Sequence, residues 1–432
     1  MNEQPRSLIS GSPVSPVSGD LQQPRSIISG QAITPPEFRD FGDNRTTRNY
    51  IYDDVLETVN NLDPVVGKRY QLSLSNAKYI DPPKFSRRKQ KEALLRGDTL
   101  GRRLKGTWQM TDIQSGKVVD QREQIVARVP FFTHRGTFIH RGNEYTVNNQ
   151  QRLLPGVFTR RMNNGQLESH LNILPGKGVS HRYFLNPETG VFALKVGQAE
   201  MPLLPLFRAM GATDKQLREA WGDDLFAANY KRDDPSVVKK LAARILRKSD
   251  ASDDEGTTRA RLKAAFENME LDDTVTRRTL GKGYKNLSLD AMVDTTKKLL
   301  AVSRGEQDVD DRDQLGYQRF LGAEDFLVER LKKDHSKIRR NLLFKAALTG
   351  NLSKIPSGAL TPQLEQVLTG SGLGSAIEEI NPLEIFDKQS RVTRLGEGGI
   401  PSTESIPDEA RNVQSSHFGF IDPLRTPECY DE

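Results

Sequence analysis

The chain has 432 residues, with 63 Lys and Arg against 57 Asp and Glu, for a formal net charge of +6. That length allows two or three hydrophobic cores, and no apolar run approaches the roughly 20 residues of a membrane helix. One cysteine, Cys429, excludes an intrachain disulfide and a zinc site built on several cysteines, while a polar N-terminus without an apolar core excludes a signal peptide, so a reducing interior compartment is expected.

Residues 1–40 are rich in Pro, Ser, Gly and Gln and carry a duplication, QPRSLISG at 4–11 and QPRSIISG at 23–30. Such a segment cannot bury enough apolar surface to offset chain entropy and is expected to be a disordered tail. Residues 84–105 hold nine Lys and Arg against Glu92 and Asp98, and residues 330–345 are similarly basic. Each run alone reads as a solvated face, but together they favour a polyanionic partner. Residues 104–130 predict a β-hairpin turning at Ser115-Gly116. A second hairpin is expected with Thr137–His140 and Tyr145–Val147 around Arg141-Gly142-Asn143, and a third with its turn in NPETG (186–190). Asp234-Pro235 signals a helix start, after which Val237, Leu241 and Ile245 share a face. Residues 249–258 read as an acidic loop. A long helix is predicted from about Asp325 to Ala347, with Leu327, Leu331, Ile338 and Leu342 as its buried stripe. Loops rich in Gly and Ser are expected over 350–375 and 396–405.

Familiar catalytic patterns are missing. DVDDRDQLG (308–316) is no calcium loop, because its sixth position is Asp313 rather than Gly and its twelfth is Arg319 rather than Glu. GSGLG (370–374) lacks the Lys-Ser/Thr of a nucleotide loop and reads as a flexible connector. The six histidines have no ligand spacing, and His417 is expected to be a structural hydrogen-bond donor.

Four segments carry a resemblance. VPFFTHRGTFIHRGNEYTVNNQQRLLPGVF (129–158) resembles a segment of the β subunit of multisubunit DNA-directed RNA polymerases, of the form Ile-Pro-Leu-Met-Thr…Gly-Thr-Phe-Ile-Ile-Asn-Gly…Ser-Gln…Pro-Gly-Val. EMPLLPLFRAMGATDKQLREAW (200–221) is similar to that family's lobe strand and helix. DDRDQLGYQR (310–319) resembles Asp-Asp-x-Asp-His-Leu-Gly-Asn-Arg-Arg. NPLEIFDKQSRVTRLGEGG (381–399), with ARNVQSSHFGFIDPLRTPE (410–428), resembles the fork region, where the family has Asn-Pro-Leu, Leu-Gly-Pro-Gly-Gly, His-Tyr-Gly-Arg and Ile-Glu-Thr-Pro-Glu-Gly.

The resemblance covers about 50–430 and implies an α+β chain: a protrusion built from 41–160 and 325–380, a lobe over 161–324 inserted in it, and the start of the fork over 381–432. It implies an N-terminal part of β, most like the split β subunits of large bacteriophages, that walls one side of a DNA cleft. Candidate nucleic-acid contacts are Lys388, Arg391, Arg394, Glu428, Gln150 and Arg152. Arg391 falls on a family arginine, with an intramolecular salt bridge to Glu384 or Asp387 as the alternative. Gln150 falls on the family glutamine and Arg152 one position before the family arginine. Gly396, Gly398 and Gly399 would allow positive φ and close backbone approach to nucleic acid. The implied partners are a C-terminal β half, β′ fragments, DNA template and RNA transcript, with no membrane. No cofactor is expected in this chain, and Mg2+ would sit on β′ in the assembled enzyme. The implied location is the cytoplasm of an infected bacterium or the virion. The other reading is a free-standing DNA-binding or virion structural protein that keeps this fold.

Overall fold

The computed structural model describes residues 44–422 except 163, 175–176, 235, 247–254, 379, 401, 407–410 and 412. The expected tail, Pro235, most of the acidic loop and Glu428 therefore lie outside the described residues.

Helix α1 (Asn44–Asn60) buries Ile51, Tyr52, Val55 and Val59, an i, i+1, i+4, i+8 stripe. It is followed by β1 (Val65–Val66), β2 (Tyr70–Tyr79), α2 (Arg87–Arg96), β3 (Gly101–Asp112) and β4 (Val118–Pro130), whose strands form an antiparallel meander in sequence order. The β3–β4 turn falls at the predicted place. There the Asp112 carboxylate accepts the backbone N–H groups of Gln114 and Ser115, and Gly116 has φ 67°. Strands β5 (Phe138–His140) and β6 (Asn143–Val147) form the second expected hairpin, with Arg141 and Gly142 at φ 50° and 77°, the signature of a tight primed turn. A Cβ on Gly142 would stand 2.7 Å from the Cα of Gly97, so the turn also needs glycine for space. Strand β7 (Asn149–Leu153) then leads out of this unit.

The next unit is a second antiparallel meander: β8 (Gly156–Arg161), β9 (Leu167–Asn172), β10 (His181–Asn186), β11 (Val191–Val196) and β12 (Ala199–Pro202). The third expected hairpin joins β10 to β11, with the Asn186 carboxamide oxygen accepting the Glu188 and Thr189 N–H groups. Alternate residues of β10 and β11 are buried beneath α3 (Leu204–Met210), α4 (Asp214–Trp221), α5 (Asp223–Tyr230), α6 (Ser236–Ile245), α7 (Glu255–Glu267), α8 (Asp273–Leu280) and α9 (Leu289–Arg304). EMPLLPLFRAMGATDKQLREAW thus holds one strand and two helices, broken at Gly211 with φ 97°.

The chain returns along β13 (Gln318–Leu321) into α10 (Ala323–Thr349), α11 (Thr361–Thr369), β14 (Gly374–Ala376), α12 (Leu383–Ser390) and β15 (Val392–Thr393). One hydrophobic core draws on 51–147 and on 321–373, and a second lies wholly within 157–302, so the second unit is an insertion in the first. Exit and return strands lie side by side, β13 antiparallel to β7, and β15 adds to the other edge of β7 in parallel. Two expectations need correction. The segment 350–375 is not all loop, because Leu364, Val367 and Leu368 of α11 are buried, an i, i+3, i+4 pattern masked by flanking Gly and Ser. Nor is GSGLG a flexible connector: Leu373 is buried, Ser371 Oγ donates to Val367 O, and Gly374 begins β14.

Candidate nucleic-acid interface

Residues i and i+2 of a strand share a face, and on β7 this places Gln150 beside Arg152. Gln150 is fully buried; its Nε2 donates to Leu395 O at 2.7 Å, and its Oε1 accepts Arg152 Nε at 2.5 Å. Arg152 uses its other nitrogens to donate to Glu329 Oε2 on α10 at 2.7 Å and to Glu397 O at 2.8 Å. Both side chains are therefore committed to holding the loop 395–399. Gly396 and Gly398 adopt φ 103° and 84°, as the sequence suggested. The close approach they permit is to the chain's own side chains. A Cβ at Gly398 would fall 2.3 Å from Arg152 Nη2, and one at Gly399 would fall 2.5 Å from Gln150 Nε2.

A second clamp grips the same loop from α10. Arg330 Nη1 donates to Glu397 Oε1 at 2.6 Å, and Lys333 binds the same oxygen. Burial works to raise the Glu397 carboxyl, and Lys333 and Arg330 outweigh it, holding the group below its ordinary value. Sequence reasoning missed Glu329, Arg330, Lys333 and Glu397. The available signal was a carboxylate where the β family has proline, together with a basic run at 330–345.

The remaining expected contacts lie around this loop. Lys388 pairs with Glu384 at 2.8 Å along α12. Arg391, just past the helix, pairs with Asp387 at 3.3 Å while its side chain stays 55% exposed. Of the two carboxylates foreseen, Asp387 is its partner. An exposed pair of this kind is worth little and can exchange for another anion. Arg394 Nη1 binds Asp313 Oδ1 at 3.1 Å. Asp313 belongs to DVDDRD, in which Asp310 and Asp311 also bond within the fold. Asp310 is buried against Lys298 at 2.6 Å and accepts Thr159 N–H; burial pushes its pKa up, and Lys298 opposes that. Asp311 accepts Gln414 Nε2 at 3.2 Å, and Ser416 Oγ accepts Leu315 N–H at 3.2 Å. His417 Nδ1 receives the Gln414 backbone N–H; burial and then the Arg394 charge lower its pKa, and a backbone hydrogen bond with Asp313 works the other way. Beside this junction lies a cavity of about 330 Å³ lined by Arg160, Arg312, His170 and Asp310. Burial, then the Arg182 and Arg312 charges, push His170 down to about 3.

Segments far apart in sequence thus meet at one place: 149–153, 310–318, and 391–400 with 414–417. The arrangement has no nucleophile with an adjacent base, and among the described residues no group of three His, Cys, Asp or Glu could hold a metal ion. It can fix a glycine loop in one conformation next to an exposed arginine. Among the described residues no helix is long and apolar enough to cross a membrane.

Residues 375–430 match the family RNA polymerase Rpb2, domain 3. The chain is similar to the DNA-directed RNA polymerase subunit beta of Cyanidium caldarium, 23% identical over 405 residues, covering 88% of this chain and 37% of that protein. It is likewise 23% identical over 410 residues to the protein of that name from Dehalococcoides mccartyi strain BAV1, covering 87% and 32%. A third, from Prochlorococcus marinus strain AS9601, is 22% identical over 406 residues, covering 88% and 37%. The chain spans about a third of the length of these curated relatives. These likenesses support the role of an RNA polymerase subunit.

Proposed function

We propose that this chain is the N-terminal β-subunit portion of a multisubunit DNA-dependent RNA polymerase, of the split kind found in large bacteriophages. The core drawn from both sides of the insertion is the protrusion, the inserted unit is the lobe, and 381–432 begins the fork. The first two wall one side of the DNA cleft, where cations neutralise phosphates without regard to sequence. The observation that carries this reading is the loop 395–399, clamped by Gln150, Arg152, Arg330 and Lys333 within the segment that matches Rpb2 domain 3.

In this reading Gln150 and Arg152 are positioning residues that hold the fork loop. Arg391, Lys388, Arg394 and Glu428 meet nucleic acid or the neighbouring subunit. Arg391 is the most available, since its own side chain is exposed and its present partner is one half-buried carboxylate of the preceding helix. Phosphoryl transfer needs divalent metal held by carboxylates; these belong to β′, which supplies Mg2+, so this chain shapes the cleft and leaves the chemistry to its partners. Those partners are a polypeptide carrying the rest of β, the β′ polypeptides, DNA template and RNA transcript, in the cytoplasm of the infected cell or in the virion.

The test is copurification from infected cells with a tag on this chain. Recovery of polypeptides carrying the remaining β and β′ sequence, with DNA-templated RNA synthesis in the eluate, is the expected result. A chain that stays alone while binding DNA or virion components would favour the free-standing structural protein.

A further inference from the structure

The basic run at 84–105 is divided by the fold. Arg102 is buried between the rings of Tyr52 and Tyr79, at 4.4 and 4.1 Å. Arg103 pairs with Asp81 at 2.8 Å, and Lys105 with Glu123 at 2.9 Å. These three serve the fold. The others lie on or beside α2, and their pattern is different. Lys84, Arg87, Lys91 and Arg96 are exposed and have no ion-pair partner among the described residues. Arg88 pairs with Glu92 at 3.1 Å, and Lys89 lies over the Phe85 ring.

This helix is charged against its own stability. Arg87, Arg88 and Lys89 occupy its first turn, which holds no acidic residue, although the positive end of the helix dipole disfavours cations there. Arg87 and Lys91 are like charges at i, i+4 and repel. Local choices that oppose the fold are expected where function requires them. The β5–β6 turn extends the patch, because Gly142 N donates to Asp98 O at 3.1 Å and Arg141 N to Thr99 Oγ1 at 3.1 Å. That sets exposed Arg141 beside the end of α2. The pKa of His134, bonded to Gln90 of α2, is pushed down first by burial and then by the charges of Arg87, Arg135 and Arg48, which Glu144 opposes. The facing carboxylates are few: Glu92 is taken by Arg88, Glu144 by Arg135, and Asp98 stands at the helix end.

We propose that α2, with Lys84, Arg87, Lys91, Arg96 and Arg141, is a nucleic-acid backbone contact separate from the fork loop, which rests on and deepens the cleft-wall reading above. Its partner is a polymer of phosphates. The face offers one large exposed apolar side chain, Leu95, and so lacks the apolar or aromatic anchors of a protein interface. Ten residues of helix span about 15 Å, a length over which the two strands of a duplex together carry roughly nine phosphate charges. Such contacts carry no base information and depend steeply on salt.

The experiment uses the full chain, a fluorescent DNA duplex of arbitrary sequence, and anisotropy titrations over a series of salt concentrations. It compares wild type, the variant Lys84→Gln/Arg87→Gln/Lys91→Gln/Arg96→Gln, and Arg391→Gln. The fourfold variant is expected to bind at least tenfold more weakly at low salt, with a salt slope shallower by about two to four units, while Arg391→Gln keeps most of the slope. Its melting temperature is expected to stay level or rise, since repulsion has been removed. No binding by wild type at low salt, an unchanged slope in the fourfold variant, or a lowered melting temperature with equal affinity would overturn the proposal. Polyglutamate of matched charge displacing the duplex as well as unlabelled DNA does would also overturn it, in favour of an acidic protein partner. Copurification of the fourfold variant with the other polymerase polypeptides reports separately on the subunit reading.

Discussion

Replacing Gly398 by alanine would test how the loop at 395–399 is held. The position has φ 84°, and the new methyl group would lie 2.3 Å from Arg152 Nη2 and 2.5 Å from its Cζ. Left-handed backbone costs a non-glycine residue about 1–2 kcal/mol. The guanidinium has to withdraw, and the bond from Nη2 to Glu397 O at 2.8 Å goes first. A hydrogen bond from a charged group contributes about 1.5–3 kcal/mol, so the sum is roughly 2.5–5 kcal/mol, confined to the loop and its clamp. Because every 1.4 kcal/mol is tenfold in an equilibrium, amide exchange should accelerate by roughly two to three orders of magnitude at Gly396, Glu397, Gly399 and Ile400. Their N–H groups bond to Ile400 O, Ser371 O, Gly396 O and Arg394 O. Hydrogen exchange followed by mass spectrometry over 391–400 is the assay. Arg152→Met should produce much of the same acceleration, and the double variant should add little, because both remove one clamp. Unchanged exchange in Gly398→Ala, or full additivity with Arg152→Met, would refute the idea that the glycine is there to seat the arginine.

Lys298→Met leaves the buried Asp310 carboxylate without its cation; losing one partner of a buried pair costs about 3–5 kcal/mol, so calorimetry should show the inserted unit melting roughly 10 °C lower. Arg339 is fully buried on α10, none of its three guanidinium nitrogens has a hydrogen-bond partner among the described residues, and burial lowers its pKa to about 10 against the opposing field of Asp63. Arg339→Met should therefore stabilise the chain by about 1–3 kcal/mol, and a lower melting temperature would contradict that. The Glu397 carboxyl is held below its unfolded value of 4.5, so its contribution is present above that value and is lost as pH falls through the depressed folded value. Exchange protection of residues 396–400, corrected for intrinsic rate, should drop below about pH 4.5 in wild type and stay flat in Glu397→Gln.

The hairpins were legible because their turn residues are local: Ser115-Gly116, Arg141-Gly142 and NPETG each lie where a strand pair closes. The long helix was legible from one stripe, and α10 runs only two residues past each expected end. Strand β2 went unread although Leu72 and Leu74 alternate in it, because Asn76, at φ 54°, breaks the period within the strand. Helix α11 was lost because nine residues among Gly, Ser and Pro carry too little pattern. At the candidate site, residue identity was legible and role was not. Gln150 and Arg152 could be picked out by resemblance. That they face inward, to a loop some 245 residues away in sequence, depends on β7 lying between β13 and β15, and pairings at such separation leave no local trace. The basic run at 84–105 shows the same limit: nine similar cations divide into buried, paired and unpaired once strands and helix are placed.

The central claim is that this chain works only as one piece of a polymerase. The direct measurement is reconstitution: DNA-templated RNA synthesis by the copurified assembly, compared with the same assembly lacking this chain and with this chain added back. The account predicts that synthesis disappears when the chain is omitted and returns when wild type is added, with Arg152→Met restoring less. Full synthesis without the chain, or a chain that never joins the assembly, would contradict it.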